Sequence, residues 1–334
     1  MRELPVVLLD PSFRRMQEIF TEDDLHRLTD MAEVVWGRDV PMPPDDAKAA
    51  LRRVTAVVCG AWRYGDALDT AANLRSIISV SGGWPRDLDY AGCFARGIRV
   101  LSAAPAFGPQ VAEMALGMAL ACCREIVDGD AAMRSGSEQW LHRGNIATFQ
   151  LYGKPVGFIG YGGLGRALRP LLSPFGCHIS VYDPWISEGY LRHEGLESAS
   201  LDRLLQECRF IFVLATPTKE NQALLSRARL ELIRRDAVLV LISRSHLVDF
   251  EALTALLLER RFRAAIDVFP EEPLPIDHPV RRTTGTVLSA HRAGSVSEGL
   301  WEIGRMVVDD LEQIMRGLPP LQLQVAQPEL IGRF

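Results

Sequence analysis

The chain lacks paired cysteine spacing. Its six cysteines (Cys59, Cys93, Cys122, Cys123, Cys177 and Cys208) include no CxxC pair. That argues against a zinc ribbon or a thioredoxin-type redox motif. Buried free thiols in a reducing cytoplasm are expected instead, with Cys122 and Cys123 facing a core from a helix. No metal site is expected. Positive charge is not in excess: 37 Lys and Arg against 42 Asp and Glu give a net charge of −5. That balance argues against a nucleic-acid partner. No uninterrupted apolar run approaches a membrane span, so no membrane partner is expected. Met1-Arg2-Glu3-Leu4-Pro5 leads straight into a strand-like run, with no visible signal peptide. Low-complexity segments and internal repeats, beyond an α/β alternation, are missing too. What remains is a globular composition, 48% hydrophobic and 24% charged. The length of 334 residues points to two domains.

The most informative stretch is Val156-Gly157-Phe158-Ile159-Gly160-Tyr161-Gly162-Gly163-Leu164-Gly165. Val156 to Ile159 reads as a buried strand. It ends at Gly160, Gly162 and Gly165 in G-x-G-x-x-G spacing, and Arg166 to Leu172 reads as a helix start despite Pro170. In a dinucleotide fold Gly160 permits the tight turn. Gly162 lets the backbone approach a pyrophosphate, and Gly165 lets helix pack on strand. The helix N-terminus offers free N–H groups to the phosphates. A second apolar run, His178 to Tyr182, ends in Asp183, eighteen residues past Gly165. An acid there grips the adenosine ribose and repels a 2′-phosphate, so NAD is expected over NADP. The alternative is a plain glycine-rich turn, with Asp183 a helix cap.

Residues 5–103 alternate short apolar runs with helical patterns. Strands are expected at Val6–Leu9, Val34–Trp36, Ala56–Cys59, Ile77–Val80 and Ile98–Leu101. Thr21-Glu22-Asp23-Asp24 resembles a capped helix start, and Pro43-Pro44 opens another helix. One long helix is expected from Gln110 to Met133, apolar almost all round and therefore buried. Ser135 to Thr148 reads as a loop. Strands are then expected at Phe210–Leu214, Ala237–Ile242, Ala264–Val268 and Gly285–Leu288, with a helix near Phe250–Leu257. An amphipathic helix over 295–317 precedes an irregular tail. Alternating strands and helices imply parallel sheets covered on both faces.

Arg244, Glu272 and His291 each follow one of the late strands, where parallel α/β sheets bind ligands. Around them stand Arg244 to Asp249 (Arg-x-x-x-Val-Asp), Asp267-Val268-Phe269-Pro270-Glu271-Glu272-Pro273, and His291-Arg292-Ala293-Gly294. With the glycine turn, these motifs resemble the D-isomer-specific 2-hydroxyacid dehydrogenases, the family that includes phosphoglycerate dehydrogenase and glyoxylate/hydroxypyruvate reductases. The resemblance covers nearly the whole chain. It implies an α/β fold with a Rossmann NAD-binding domain, residues 106–294, inserted in a discontinuous flavodoxin-like substrate domain, residues 1–105 plus 295–334. It also implies an active site in the cleft and a homodimer paired through the NAD domain and long helix.

The activity implied is NAD-dependent interconversion of a 2-oxo acid and a D-2-hydroxy acid. Arg244 offers a planar fork to the substrate carboxylate and polarises the carbonyl. His291 gives a proton to the carbonyl oxygen as hydride arrives. Glu272, bonded to the imidazole, favours its charged form. By the same resemblance Gly163, Leu164, Thr216, Ser243 and Gly294 join the cofactor contacts, and Asp267 orients the nicotinamide. His246 and His278 are read as loop residues. The substrate loop departs from the family: Gly82-Gly83-Trp84-Pro85-Arg86-Asp87-Leu88-Asp89 has Trp84 for a glycine and Arg86 for an acid. Gly83 and Trp84 still offer N–H groups to a carboxylate, and Pro85 offers none. If Arg86 faces the substrate, a second anion is favoured; pointing to solvent, it is a surface residue. Two other readings stand beside the dehydrogenase: a nucleotide-sensing corepressor on the same fold, and a formate or phosphite enzyme. The Glu272–His291 pair disfavours formate dehydrogenases, which pair histidine with glutamine.

Overall fold

The computed structural model describes residues 4–333, so the reading of Met1-Arg2-Glu3 lies outside it. The chain divides into two compact units. One comprises Met1–Phe107 with Ser295–Phe334, the other Gly108–Gly294.

The first unit holds five parallel strands: β1 (Val6–Asp10), β2 (Glu33–Trp36), β3 (Ala56–Cys59), β4 (Ser76–Ser79) and β5 (Arg99–Ser102). Their spatial order is β5-β4-β3-β1-β2, the 2-1-3-4-5 order of flavodoxin-like sheets. A short strand, Gln324–Val325, adds antiparallel to β5, inside the tail expected to be irregular. β1, β3 and β4 are buried along their length, as strands covered on both faces require. Thr21 caps the helix Glu22–Met31, and its hydroxyl and Asp24 form the expected reciprocal box. The helix Ser297–Met315 covers one face with Ile303, Val307 and Leu311.

The second unit is a seven-stranded parallel sheet: β6 (Pro155–Ile159), β7 (His178–Tyr182), β8 (Glu197–Ser198), β9 (Phe210–Val213), β10 (Val238–Leu241), β11 (Arg263–Ile266) and β12 (Thr286–Leu288). The order β12-β11-β10-β9-β6-β7-β8 reverses between β6 and β9, the switch point where such sheets bind nucleotides. Gly157 in β6 is a packing requirement: a Cβ there would fall 2.4 Å from the Leu204 side chain.

The expected long helix is broken. Gly108–Cys123 and Ile126–Ser135 are separate, with Glu125 at φ +52° between them. Arg263 accounts for the break. Its guanidinium donates to the carbonyls of Cys122 and Cys123, each at 3.3 Å, and pairs with the Glu125 carboxylate. One correction concerns hydropathy. Ala104–Cys123 is 20 residues long and apolar enough to cross a membrane by length and composition. Gln110 and Glu113 interrupt its apolar run, which concealed this from a count of uninterrupted residues. In the structure 56% of its window is buried within protein, and Gly108–Cys123 packs on the helix Gly163–Leu172. All six cysteines are free, five of them buried. Burial pushes the thiols of Cys59 and Cys122 up to about 12.

Candidate active site

Two sets of residues lie at the carboxyl ends of the second unit's strands. The first is the glycine turn after β6. Gly160 has φ +93°, and a Cβ on it would lie 2.6 Å from the Ala215 backbone, just past β9. The turn therefore admits only glycine there. A Cβ on Gly165 would meet the Tyr161 ring at 3.0 Å, so helix and turn are in close contact. Gly162 and Gly163 differ: a Cβ on either meets nothing within 4 Å. Gly162 caps the helix Gly163–Leu172, which passes through Pro170 unbroken. Open backbone at a helix start suits a pyrophosphate. Asp183, one residue past β7, accepts from the Tyr161 N–H at 2.8 Å and the Trp185 N–H at 2.9 Å. The acid is thereby anchored beside the turn. Leu164 is half-buried, and Thr216 is exposed past β9 next to Ala215. These residues fit a dinucleotide.

Arg166 was not singled out from sequence. Its guanidinium stacks over the Tyr161 and Tyr190 rings, 5.0 and 5.3 Å from their centroids, and donates to the Tyr190 hydroxyl at 2.7 Å. Its only sequence signal is the position after the third glycine.

The second set follows β10, β11 and β12, which are neighbours. His291 lies three residues past β12 and Glu272 six past β11. The His291 Nδ1 and the Glu272 Oε2 are 2.6 Å apart. The other Glu272 oxygen accepts from the Phe269 N–H at 2.9 Å. Burial raises the Glu272 pKa, but these two hydrogen bonds and the charges of His291 and Arg244 outweigh it. The carboxyl is held below its ordinary value. Arg244, three residues past β10, donates Nη1 to its neighbour's carbonyl, Ser243 O, at 2.7 Å. It reaches solvent and yet stands in dense surroundings, whose desolvation lowers its pKa against the pull of Glu272. It stays cationic throughout the working range. Ser243 is buried, with its hydroxyl unpartnered.

Asp267 is fully buried. Its two oxygens accept from the Arg292 N–H at 3.0 Å and the Ala293 N–H at 3.1 Å, and its carbonyl accepts from the His291 N–H at 2.8 Å. It holds the turn that carries His291, whose φ is +51°. Gly294 ends that turn. His246 bonds the Thr218 carbonyl at 2.9 Å, and His278 accepts from the Val280 N–H; both are local ties. In the first unit, Gly83 stands in nearly open space, Trp84 packs against the core of its own unit, and Arg86 is exposed.

A parallel sheet with a dinucleotide turn at its switch point and a histidine–carboxylate pair at neighbouring strand ends defines a class: nicotinamide-dependent dehydrogenases. Residues 116–293 match the D-isomer specific 2-hydroxyacid dehydrogenase, NAD binding domain. A glyoxylate reductase of Thermofilum pendens is 31% identical over 90% of this chain and 91% of its own. A D-3-phosphoglycerate dehydrogenase of Methanocaldococcus jannaschii is 30% identical over 75% of this chain, but only 48% of its own length is covered. A solved phosphoglycerate oxidoreductase from Rhizobium etli superposes with a TM-score of 0.84 at 36% identity, covering 97% of this chain and 98% of that one. The chain belongs to the D-isomer specific 2-hydroxyacid dehydrogenase family. It is an enzyme, and its cofactor is NAD.

Proposed function

We propose that the chain interconverts a 2-oxo acid and a D-2-hydroxy acid, with His291 as acid–base group, Glu272 as its partner and Arg244 as the carboxylate ligand. The observation that carries this reading is the 2.6 Å contact between His291 Nδ1 and Glu272. It ties up Nδ1 and leaves Nε2 free for substrate. The nicotinamide, when bound, supplies or accepts the hydride. In reduction, Nε2 of the imidazolium donates its proton to the carbonyl oxygen; in oxidation it takes the hydroxyl proton back. Glu272, held ionised, keeps the ring oriented. Arg244 binds the carboxylate through its planar fork and draws charge toward the carbonyl oxygen. Asp183 discriminates against a 2′-phosphate. The unit that contains Gly83 and Trp84 takes the substrate-binding role, through their backbone N–H groups.

We also infer a homodimer in the cytoplasm. The helix Ile126–Ser135 buries none of its residues. It leaves Ile126, Val127 and Met133 exposed, as are Trp140 and Leu141 beyond it. An apolar surface of this kind favours burial against another protein surface. The free thiols favour a reducing compartment. The test is NADH oxidation with a panel of 2-oxo acids. Turnover with at least one, abolished in His291→Ala, is expected. No turnover across the panel would overturn the reading.

A further inference from the structure

The first unit's sheet carries at its carboxyl end an arginine to which no role has been given. Arg14 lies four residues past β1 and is half-buried. Its Nε donates to the Val80 carbonyl at 3.2 Å. Its guanidinium carbon lies 5.1 Å from the Phe13 ring centroid and 5.4 Å from that of Phe107. The fork is therefore fixed by one hydrogen bond and two aromatic contacts. Its terminal nitrogens, Nη1 and Nη2, have no partner among the described residues. Glu18 is felt electrostatically without forming an ion pair. Three arginines of the same unit are instead paired with acids: Arg27 with Asp309, Arg53 with Glu33 and Arg305 with Glu302. An unpaired, partly desolvated cation costs stability. A fork held in place with its donors unused is preorganised for an anion.

Its neighbours say which anion. Val80 leads directly into Ser81-Gly82-Gly83. Gly82 lies against the same Phe107 ring, where a Cβ would fall 2.9 Å from a ring carbon. Arg14 and the Gly82–Gly83 loop thus share one aromatic support. The Arg14 loop is clamped from a third side. Arg63 donates to the Ser12 carbonyl at 3.3 Å, and Gly60 permits an approach that a Cβ, 2.2 Å from that oxygen, would forbid.

We propose that Arg14 is a specificity-determining residue whose free Nη pair receives a second anionic group, a carboxylate or phosphate, on the 2-oxo or 2-hydroxy acid substrate. This rests on the 2-oxoacid reading above. The test uses the NAD-loaded enzyme, with Arg14→Met to keep an apolar stem on Phe107 and Arg14→Lys to keep charge without the fork. Calorimetry compares glycolate, with one anion, against 3-phosphoglycerate and D-2-hydroxyglutarate, with two. Rates of NADH oxidation compare glyoxylate against 3-phosphohydroxypyruvate and 2-oxoglutarate. Wild type should favour at least one two-anion class. Arg14→Met should erase about ten- to hundredfold of that preference, and Arg14→Lys should recover part of it. The class that loses identifies phosphate or carboxylate. An equal loss on all ligands, or a wild type with no preference for a second anion, would overturn the proposal. Arg14-dependent binding without turnover of any 2-oxo acid would sink the catalytic reading and leave the anion site standing.

Discussion

Asp267→Asn separates two jobs that the same acid could do. In the structure the carboxylate accepts two backbone hydrogen bonds, at 3.0 and 3.1 Å, from the turn carrying His291. Asparagine keeps one oxygen and sets an NH2 group against the other N–H. One hydrogen bond to a charged acceptor is lost, about 1.5–3 kcal/mol, and a buried donor is left unsatisfied. The turn holds His291 at φ +51°, a conformation that costs an L-residue about 1–2 kcal/mol. The lost bond is thus as large as the strain it restrains. The turn should relax in much of the population, and kcat should fall about 10- to 100-fold, a decade for each ~1.4 kcal/mol. The KM for NADH should move little. Steady-state kinetics with both substrates varied, beside thermal unfolding, give the answer. A kcat within twofold of wild type would refute the positioning role. A raised KM for NADH at constant kcat would show that the acid acts on the cofactor instead.

Asp183 should make NADH the better cofactor by about a hundredfold in kcat/KM, because a 2′-phosphate would meet its carboxylate; equal values for NADH and NADPH would remove it from that role. His291→Ala should lower kcat by about 10² to 10⁴ with a smaller effect on KM, whereas Arg244→Ala should damage both, since the fork holds substrate in ground and transition state; the reverse pattern would exchange their roles. Glu272→Gln keeps the shape of the pair and removes its charge. With the charged tether on Nδ1 gone, kcat for reduction should fall while thermal unfolding stays near wild type. In wild type the Glu272 carboxyl lies below its ordinary value, so the charged pair should survive acidification past the usual glutamate range and be lost only as pH falls through the lowered value. An unchanged kcat in Glu272→Gln would uncouple the two residues.

Much of the fold was legible because its strands are buried on both faces. Continuous apolar runs such as Ala56–Cys59 and Phe210–Val213 declare themselves without neighbours. The two-residue strands Glu197–Ser198 and Gln324–Val325 do not. They are strands only because an edge of a sheet accepts them: β7 takes the first, and β5, far back in the chain, takes the second. The break in the helix after Cys123 was invisible for the same reason. It depends on Arg263, 138 residues from its partner Glu125.

The candidate site shows the same division more sharply. In a parallel sheet the ends of β10, β11 and β12 are neighbours, so motif order alone brings Arg244, Glu272 and His291 to one edge. Which atoms meet there is a matter of backbone conformation. The His291–Glu272 contact is made with His291 in the left-handed region, and the Asp267 carboxylate beside it is turned inward to the Arg292 and Ala293 amides. Nothing in a row of side-chain types distinguishes an acid turned to its own backbone from one turned to a ligand. Arg14 is the converse case. Sequence offers only one more arginine in a loop, whereas its significance lies in what surrounds it. It has a carbonyl 66 residues away on Nε, rings on two sides, and no acid bonded to the rest. A residue's chemistry is local and readable; whether that chemistry is already satisfied is a property of long-range contacts. Asp267, bonded to its own backbone, and Arg14, with its fork unused, differ on that one point.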